Sequence, residues 1–283
     1  SLFAWDASGG RTPRWGVTFS QPQAQWLGLD WRKTYLALLD DLGARRIRLS
    51  AYWNWMEWPD DSWHFEDLDW QLEEAKKRGA TVILAVGRRL PRWPECHVPD
   101  WARVLPEERQ REEVLEHIRT IVERYRTHSA LVMWQVENEP LLSVFGECPP
   151  PDRAFFAREV AFVRALDPAH PILVTDSGEI SMWVRTSAMG DVLGTTFYRV
   201  VWNSLFGYWR YDHVIPPAFY RVKALLAGKP IEQMMIAELQ AEPWVPQGAL
   251  TEAPLAELRK SMDREQFDRN VRAAKRSGIP EAI

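Results

Sequence analysis

The chain has 283 residues and a net charge of -4, enough length for one large α/β domain or two ordinary ones with a full core. Lys and Arg are interspersed with Asp and Glu, and no basic run is set among stacking aromatics, which argues against a nucleic-acid partner. No apolar stretch approaches the roughly 20 residues that cross a bilayer, so no membrane span is expected.

Residues 1–14 have no steady period and read as a loop or short hairpin. The chain opens on Ser1 and not on Met, which suggests processing or trimming, so no targeting signal can be read. A secreted or periplasmic location is expected ahead of a cytoplasmic one. Trp15 to Ser20 is the first predicted strand. Trp31 to Leu42 carries Trp31, Tyr35, Leu38, Leu39 and Leu42 at helical spacing and stops at Gly43. Ala44 to Ser50 is the second strand, running into Ala51 to Glu57. Leu68 to Arg78 is a helix closed by Gly79, and Thr81 to Val86 is the third strand. A proline-rich loop to His97 follows, then a long amphipathic helix over Glu107 to Tyr125. The fourth strand lies in Ala130 to Pro140, a helix in Pro149 to Leu166, and the fifth strand is Pro171 to Asp176. Val192 to Tyr198 is the sixth strand, Pro217 to Leu226 a helix, Gln233 to Glu238 the seventh strand, and Arg264 to Ser277 a last helix ended by Gly278.

Strands that alternate with helices, with no linker between them, predict a parallel sheet wound by right-handed crossovers. No glycine-rich phosphate fingerprint follows the first strand, which counts against a dinucleotide-binding sheet. The loops after strands two, three, four, six and seven are long and carry the aromatic and charged residues, whereas those before the strands are short, the habit of a (β/α)8 TIM-type barrel. A single α/β barrel domain over 1–283 is therefore expected. The eighth strand should start at Gly278 to Ile283, and it is expected to be truncated there.

The chemistry centres on the fourth strand. Its apolar run gives way to Glu137, Asn138, Glu139 and Pro140. Pro140 has no amide proton and disfavours helical geometry at Glu139, so the strand is expected to stop with Glu139 at its tip. Glu238 is the first charge after Met234 to Ala237, and 238 − 139 = 99 residues separate the two. Carboxylates at two such strand ends can divide labour as general acid and nucleophile, which is glycoside hydrolysis. The plainer alternatives are a surface glutamate at position 139 and a structural pair of Glu238 with Arg48. Glu57 and Glu242 lie further beyond their strands. The 16 Trp, many beside Pro, Glu or Asn, also lean towards carbohydrate, because flat aromatic faces stack on sugar rings.

Asn138-Glu139-Pro140 closing strand four and Glu238 closing strand seven resemble the clan A glycoside hydrolases, the cellulase, β-mannanase and β-galactosidase superfamily. The resemblance implies a retaining β-glycoside hydrolase with Glu139 as acid/base, Glu238 as nucleophile and Asn138 as donor to the sugar 2-hydroxyl. Arg48 matches the arginine beneath the nucleophile, and Tyr198 the tyrosine that hydrogen-bonds it; both would favour the charged form of Glu238. Thr196 departs from the pattern, standing where many members of the cellulase family carry histidine. Tyr52 to Glu57 followed by Trp63 to Asp69 is more like the β-galactosidase side of the clan.

Trp53, Trp55, Trp93, Trp202 and Trp244 are candidate walls for an oligosaccharide or polysaccharide substrate, and Arg88 and His97 candidate hydroxyl ligands. Cys96 and Cys148 fall on neighbouring loops, as a disulfide or as two thiols. Cys96-His97 lacks further ligands at zinc spacing, and a metal-dependent hydrolase would have only His97 and Asp176 to use, so no metal and no cofactor is expected. The alternative function is a catalytically silent barrel that binds glycans. The oligomeric state is not readable.

Overall fold

The computed structural model describes residues 5–246 and 250–283; residues 1–4 of the expected N-terminal loop lie outside them. The chain divides into two units, an N-terminal one of Trp15–Asp176 with Met189–Val192, and a C-terminal one that takes Ser177–Ala188, Leu193–Ile283 and the residues up to Arg14.

The N-terminal unit holds five strands: β1 (Val17–Thr18), β2 (Arg46–Ser50), β3 (Thr81–Val86), β4 (Leu131–Val136) and β5 (Ile172–Asp176). Each pairs in parallel with the next in sequence. Between them run α1 (Trp31–Asp40), α2 (Glu66–Lys77), α3 (Glu107–Tyr125) and α4 (Arg153–Leu166). The periodicities explain these elements. In β3 every residue after Thr81 is buried, as a strand covered on both faces requires. α3 buries Val114, Leu115, Ile118, Ile121, Val122 and Tyr125, one stripe at spacings of three and four. α1 starts on Asp30, whose carboxylate accepts from the Lys33 N–H, and α4 starts in the same way on Asp152.

Beyond β2 the structure departs from the expected extended run. Trp53–Met56 is a short helix, because Trp53 and Met56 bury on one side and the Trp53 indole N–H turns to donate to Glu57 at 2.7 Å.

The C-terminal unit holds β6 (Val192–Phe197, in this unit from Leu193), β7 (Met234–Leu239) and β8 (Glu281–Ala282), with α5 (Pro217–Leu226) and α6 (Arg264–Ser277). β7 lies between β6 and β8 and is parallel to both. The last residues do begin the eighth strand: the Leu239 N–H donates to the Ile283 carbonyl and the Ile283 N–H to the Ile236 carbonyl, both at 2.8 Å. An unpredicted antiparallel hairpin, Val200–Asn203 with Gly207–Arg210, follows β6.

The end of β7 is set by two features. The register slips between Ile236 and Glu238, so Ala237 is an extra residue, a bulge that re-aims the side chain after it. Gln240 then accepts from the backbone N–H groups of Arg199 and Val200 at 2.9 and 3.0 Å, while the Asn270 amide of α6 donates to its carbonyl at 2.9 Å. The Gln240 side chain thus ties the exit of β7 to the exit of β6, and Asn270 of α6 holds its backbone.

Candidate active site

In the N-terminal unit the group forms around the end of β4. The strand stops at Val136, three residues before Glu139, and both Glu137 (φ 56°) and Glu139 (φ 46°) take left-handed backbone that a non-glycine residue adopts only when its surroundings hold it there. Pro140 is therefore not what ends the strand. The Glu137 carboxylate folds back and accepts the N–H groups of Arg88 and Arg89 at 2.7 and 2.5 Å. Gly87 makes room for it, since a Cβ there would meet Glu137 Oε1 at 2.4 Å. Beneath it, on α4, Glu159 is fully buried; that burial, and then the charge of Glu137, push its carboxyl well above the ordinary range. Glu159 is paired with Glu137 by a side-chain hydrogen bond.

Arg48, fully buried in β2, donates from Nε to Gln135 at 2.7 Å and from Nη2 to Asn138 Oδ1 at 2.8 Å. Asn138 Oδ1 also accepts from Gln135 at 3.2 Å and from the Thr175 hydroxyl at 3.3 Å. The Glu139 N–H donates to Thr175 Oγ1 at 2.9 Å. With its oxygen occupied, Asn138 has its amide NH2 for outward use, and that group reaches Glu95 at 3.5 Å. Cys96 and Cys148 form a disulfide that joins the loop after β3 to the loop after β4. Gly146 sits where a Cβ would meet the Glu95 Cβ at 2.5 Å, so the two loops are closely packed.

In the C-terminal unit, Glu238 is the penultimate residue of β7 and its Oε2 accepts from the Tyr198 hydroxyl at 3.1 Å. Trp244 meets the Tyr198 ring edge-on, with centroids 5.7 Å apart. Tyr198 and Trp244 line a cavity of about 240 Å³ with Glu242, Pro243, Val245 and Leu250. Trp202 is half-buried in the hairpin, opposite Tyr208.

The other expected walls divide. Trp93 is 71% exposed and Trp55 42% exposed, and Trp55 borders a small cavity with Phe19, Gln21, Tyr52 and His64. Trp53 is fully buried against Trp101 and His117 and has no face to offer a sugar, which corrects that expectation. Arg88 is committed to Glu107 and Gln110. His97 is buried, bonded to the Arg92 carbonyl and pushed down to about 4 by that burial, so neither is a hydroxyl ligand. Glu57 is buried with its oxygens taken by Trp53 and the Asp61 N–H. Among the described residues it forms one group of three carboxylates, with Asp60 and Asp61.

Sequence reasoning missed Glu179. It follows β5 after Ser177-Gly178, and burial raises its carboxyl to about 7. Its position as the first charge beyond the fifth strand's Asp176 was the available signal. Gln135, a polar residue inside an apolar strand like Arg48, was the other.

None of the described helices is long and apolar enough to cross a membrane. No curated protein sequence matches the chain. Among solved structures, an endoxylanase of family GH10 from a sugarcane soil metagenome is similar over 96% of this chain and 85% of its own, at 17% identity and a TM-score of 0.61. A GH5_18 protein from Streptomyces cattleya, in complex with GlcNAc, is similar over 82% of this chain at 16% identity, with a TM-score of 0.60. A beta-galactosidase from the psychrophilic Marinomonas ef1 is similar over 83% of this chain at 16% identity, with a TM-score of 0.54. The chain spans 63% of the length of the GH5_18 structure and 49% of the beta-galactosidase. These likenesses give the fold, a (β/α)8-type barrel. The sequence model of glycoside hydrolase family 42, described as beta-galactosidase, matches residues 22–224, and the chain belongs to that family.

Proposed function

We propose that the protein hydrolyses a β-glycosidic bond with retention of anomeric configuration, using Glu238 as nucleophile and Glu139 as acid/base. The observation that carries the reading is the strand-end carboxylate of Glu238, placed after a bulge and receiving the Tyr198 hydroxyl. That hydrogen bond fixes one oxygen of the carboxylate that is to attack a sugar carbon. Family membership supports the reaction class, and the family's description makes β-galactosides the first substrates to try.

In the first step Glu238 attacks the anomeric carbon while Glu139 passes its proton to the departing oxygen, leaving a glycosyl ester on Glu238. In the second, Glu139 takes a proton from water, whose oxygen attacks the same carbon and frees Glu238. Asn138 offers its amide NH2 to the sugar 2-hydroxyl, its oxygen being fixed by Arg48, Gln135 and Thr175. Trp244 and Tyr198, around their cavity, and the exposed Trp55 and Trp93 supply stacking surface. Trp202, half-buried in the hairpin, is a further wall.

The test is incubation with a panel of aryl β-galactosides, β-mannosides, β-glucosides and β-xylosides, with proton NMR of the first-formed sugar. Release of phenol together with the β-anomer supports the proposal. The α-anomer as first product would overturn retention. Saturable binding of oligosaccharides without any turnover would favour a glycan-binding barrel, a reading that the exposed Trp93 also fits.

A further inference from the structure

We propose that Glu179 is a positioning residue that holds the Tyr198 hydroxyl on Glu238 by gripping the tip of β6, an inference that rests on Glu238 being the nucleophile. Three donors converge on its carboxylate. The Tyr220 hydroxyl of α5 reaches Oε1 at 2.5 Å, the backbone N–H of Tyr198 reaches Oε1 at 3.1 Å, and the Thr196 hydroxyl reaches Oε2 at 3.0 Å. Two of the three belong to the last residues of β6 and its exit, so one side chain fixes both the strand tip and the backbone from which the Tyr198 phenol projects. Tyr198 then donates to Glu238.

The approach of this loop to β6 is built into the sequence. A Cβ on Gly178 would meet the Thr196 carbonyl at 2.0 Å, so glycine lets the loop lie directly on the strand. The Gly178 N–H donates to Thr196 Oγ1 at 2.9 Å, which fixes that hydroxyl to donate its own hydrogen onward to Glu179. Thr196 thus receives one end of the loop and hands its hydrogen to the other. From α5, the Lys223 ammonium donates to the Gly178 carbonyl at 2.6 Å and closes the same loop from outside.

The charged and titratable groups around Glu179 are Tyr220 and Lys223 on α5, Arg199 beyond β6, Tyr211 in the turn after the hairpin, and Tyr198 leading to Glu238. Arg199 is engaged with Asp212 at 2.9 Å. Burial raises the carboxyl most, and the hydrogen bonds of Tyr220 and Thr196 and the charge of Arg199 pull it back, leaving it at about 7. Above that pH the carboxylate accepts all three donors. Below it, the acid carries a hydrogen of its own that faces one of them, and the grip on the tip of β6 loosens.

The experiment compares the intact protein with Glu179→Gln and Glu179→Ala, after circular dichroism has established that both fold. Hydrogen exchange of the peptide bearing the Tyr198 amide, corrected for intrinsic rate, is expected to speed up about tenfold or more in both variants. The rate at which a dinitrophenyl 2-fluoro-β-galactoside inactivates the protein by labelling Glu238 is expected to rise through pH about 7 in the parent and to lose that step in Glu179→Gln, with kcat falling about tenfold and KM little changed. Unchanged exchange at Tyr198, or pH profiles that superimpose, would overturn the proposal, because a purely structural role would lower stability without moving either. If the parent is never labelled on Glu238, the nucleophile assignment fails separately, and the exchange at Tyr198 alone decides whether Glu179 grips the strand.

Discussion

The two candidate carboxylates are held by opposite means. Glu139 belongs to a backbone forced into left-handed turns at Glu137 and Glu139, over a buried layer of charged and polar groups made of Arg48, Gln135, Asn138 and the Glu137–Glu159 pair, with a disulfide across the adjoining loops. Glu238 stands on a regular strand with one bulge, and its placement rests on side chains: Tyr198, and behind it Glu179 and Thr196. An acid/base group must give and regain a proton in one position, which suits a stiff, over-determined backbone. A nucleophile must first carry charge and then an ester, which suits a donor that can follow its oxygen. Both arrangements rest on named hydrogen bonds between polar groups.

The contrast can be broken from either side. The largest effect is expected at Glu238: Glu238→Gly should lower kcat/KM by at least about 10⁴-fold on every active substrate, as for other residues that form the covalent intermediate. Glu139→Ala should cost about 10²–10⁴-fold on sugars with poor leaving groups and far less on dinitrophenyl glycosides, which depart without a proton. A loss independent of the leaving group would mean that Glu139 is not the acid.

Opening the Cys96–Cys148 bond, which spans 52 residues, should destabilise the fold by about 4 kcal/mol, read in urea titrations with and without reductant. Arg48→Lys replaces a planar fork that donates separately from Nε and Nη2 with a single ammonium, and should cost about 1–3 kcal/mol of transition-state binding, with the smallest loss on substrates that lack the 2-hydroxyl.

The smallest effect is a pH dependence of stability. Glu159 is raised in the folded protein, so the stability it contributes is complete below the ordinary carboxyl range and is lost as pH rises through its folded value. Glu179 has the same sign, with its loss between about 4.5 and about 7. Unfolding free energies measured from pH 5 to 8 should therefore fall in the parent and fall less in Glu159→Gln.

Much of this was legible in the residues. The helices Glu107–Tyr125, Pro217–Leu226 and Arg264–Ser277 end where their periodicity and caps end, and the strands lie within a residue or two of their apolar runs. Tyr198 is found bonded to Glu238. Local pattern could not give features whose cause lies far along the chain. The bend at Glu137 is made by Arg88 and Arg89, 49 and 48 residues away, and by the space above Gly87. Trp53 looks like a loop aromatic until His117, on α3, stacks against it. Glu179 reads as a loop charge until Thr196 and Tyr220 are placed around it.

The most direct test of the central claim is the site of covalent labelling. The protein is inactivated with a dinitrophenyl 2-fluoro glycoside of the sugar it turns over, then digested, and the sugar-bearing residue is identified by mass spectrometry. The label is predicted on Glu238. A label on Glu242, Glu179 or Glu139, or full turnover with no trapped sugar, would contradict the account.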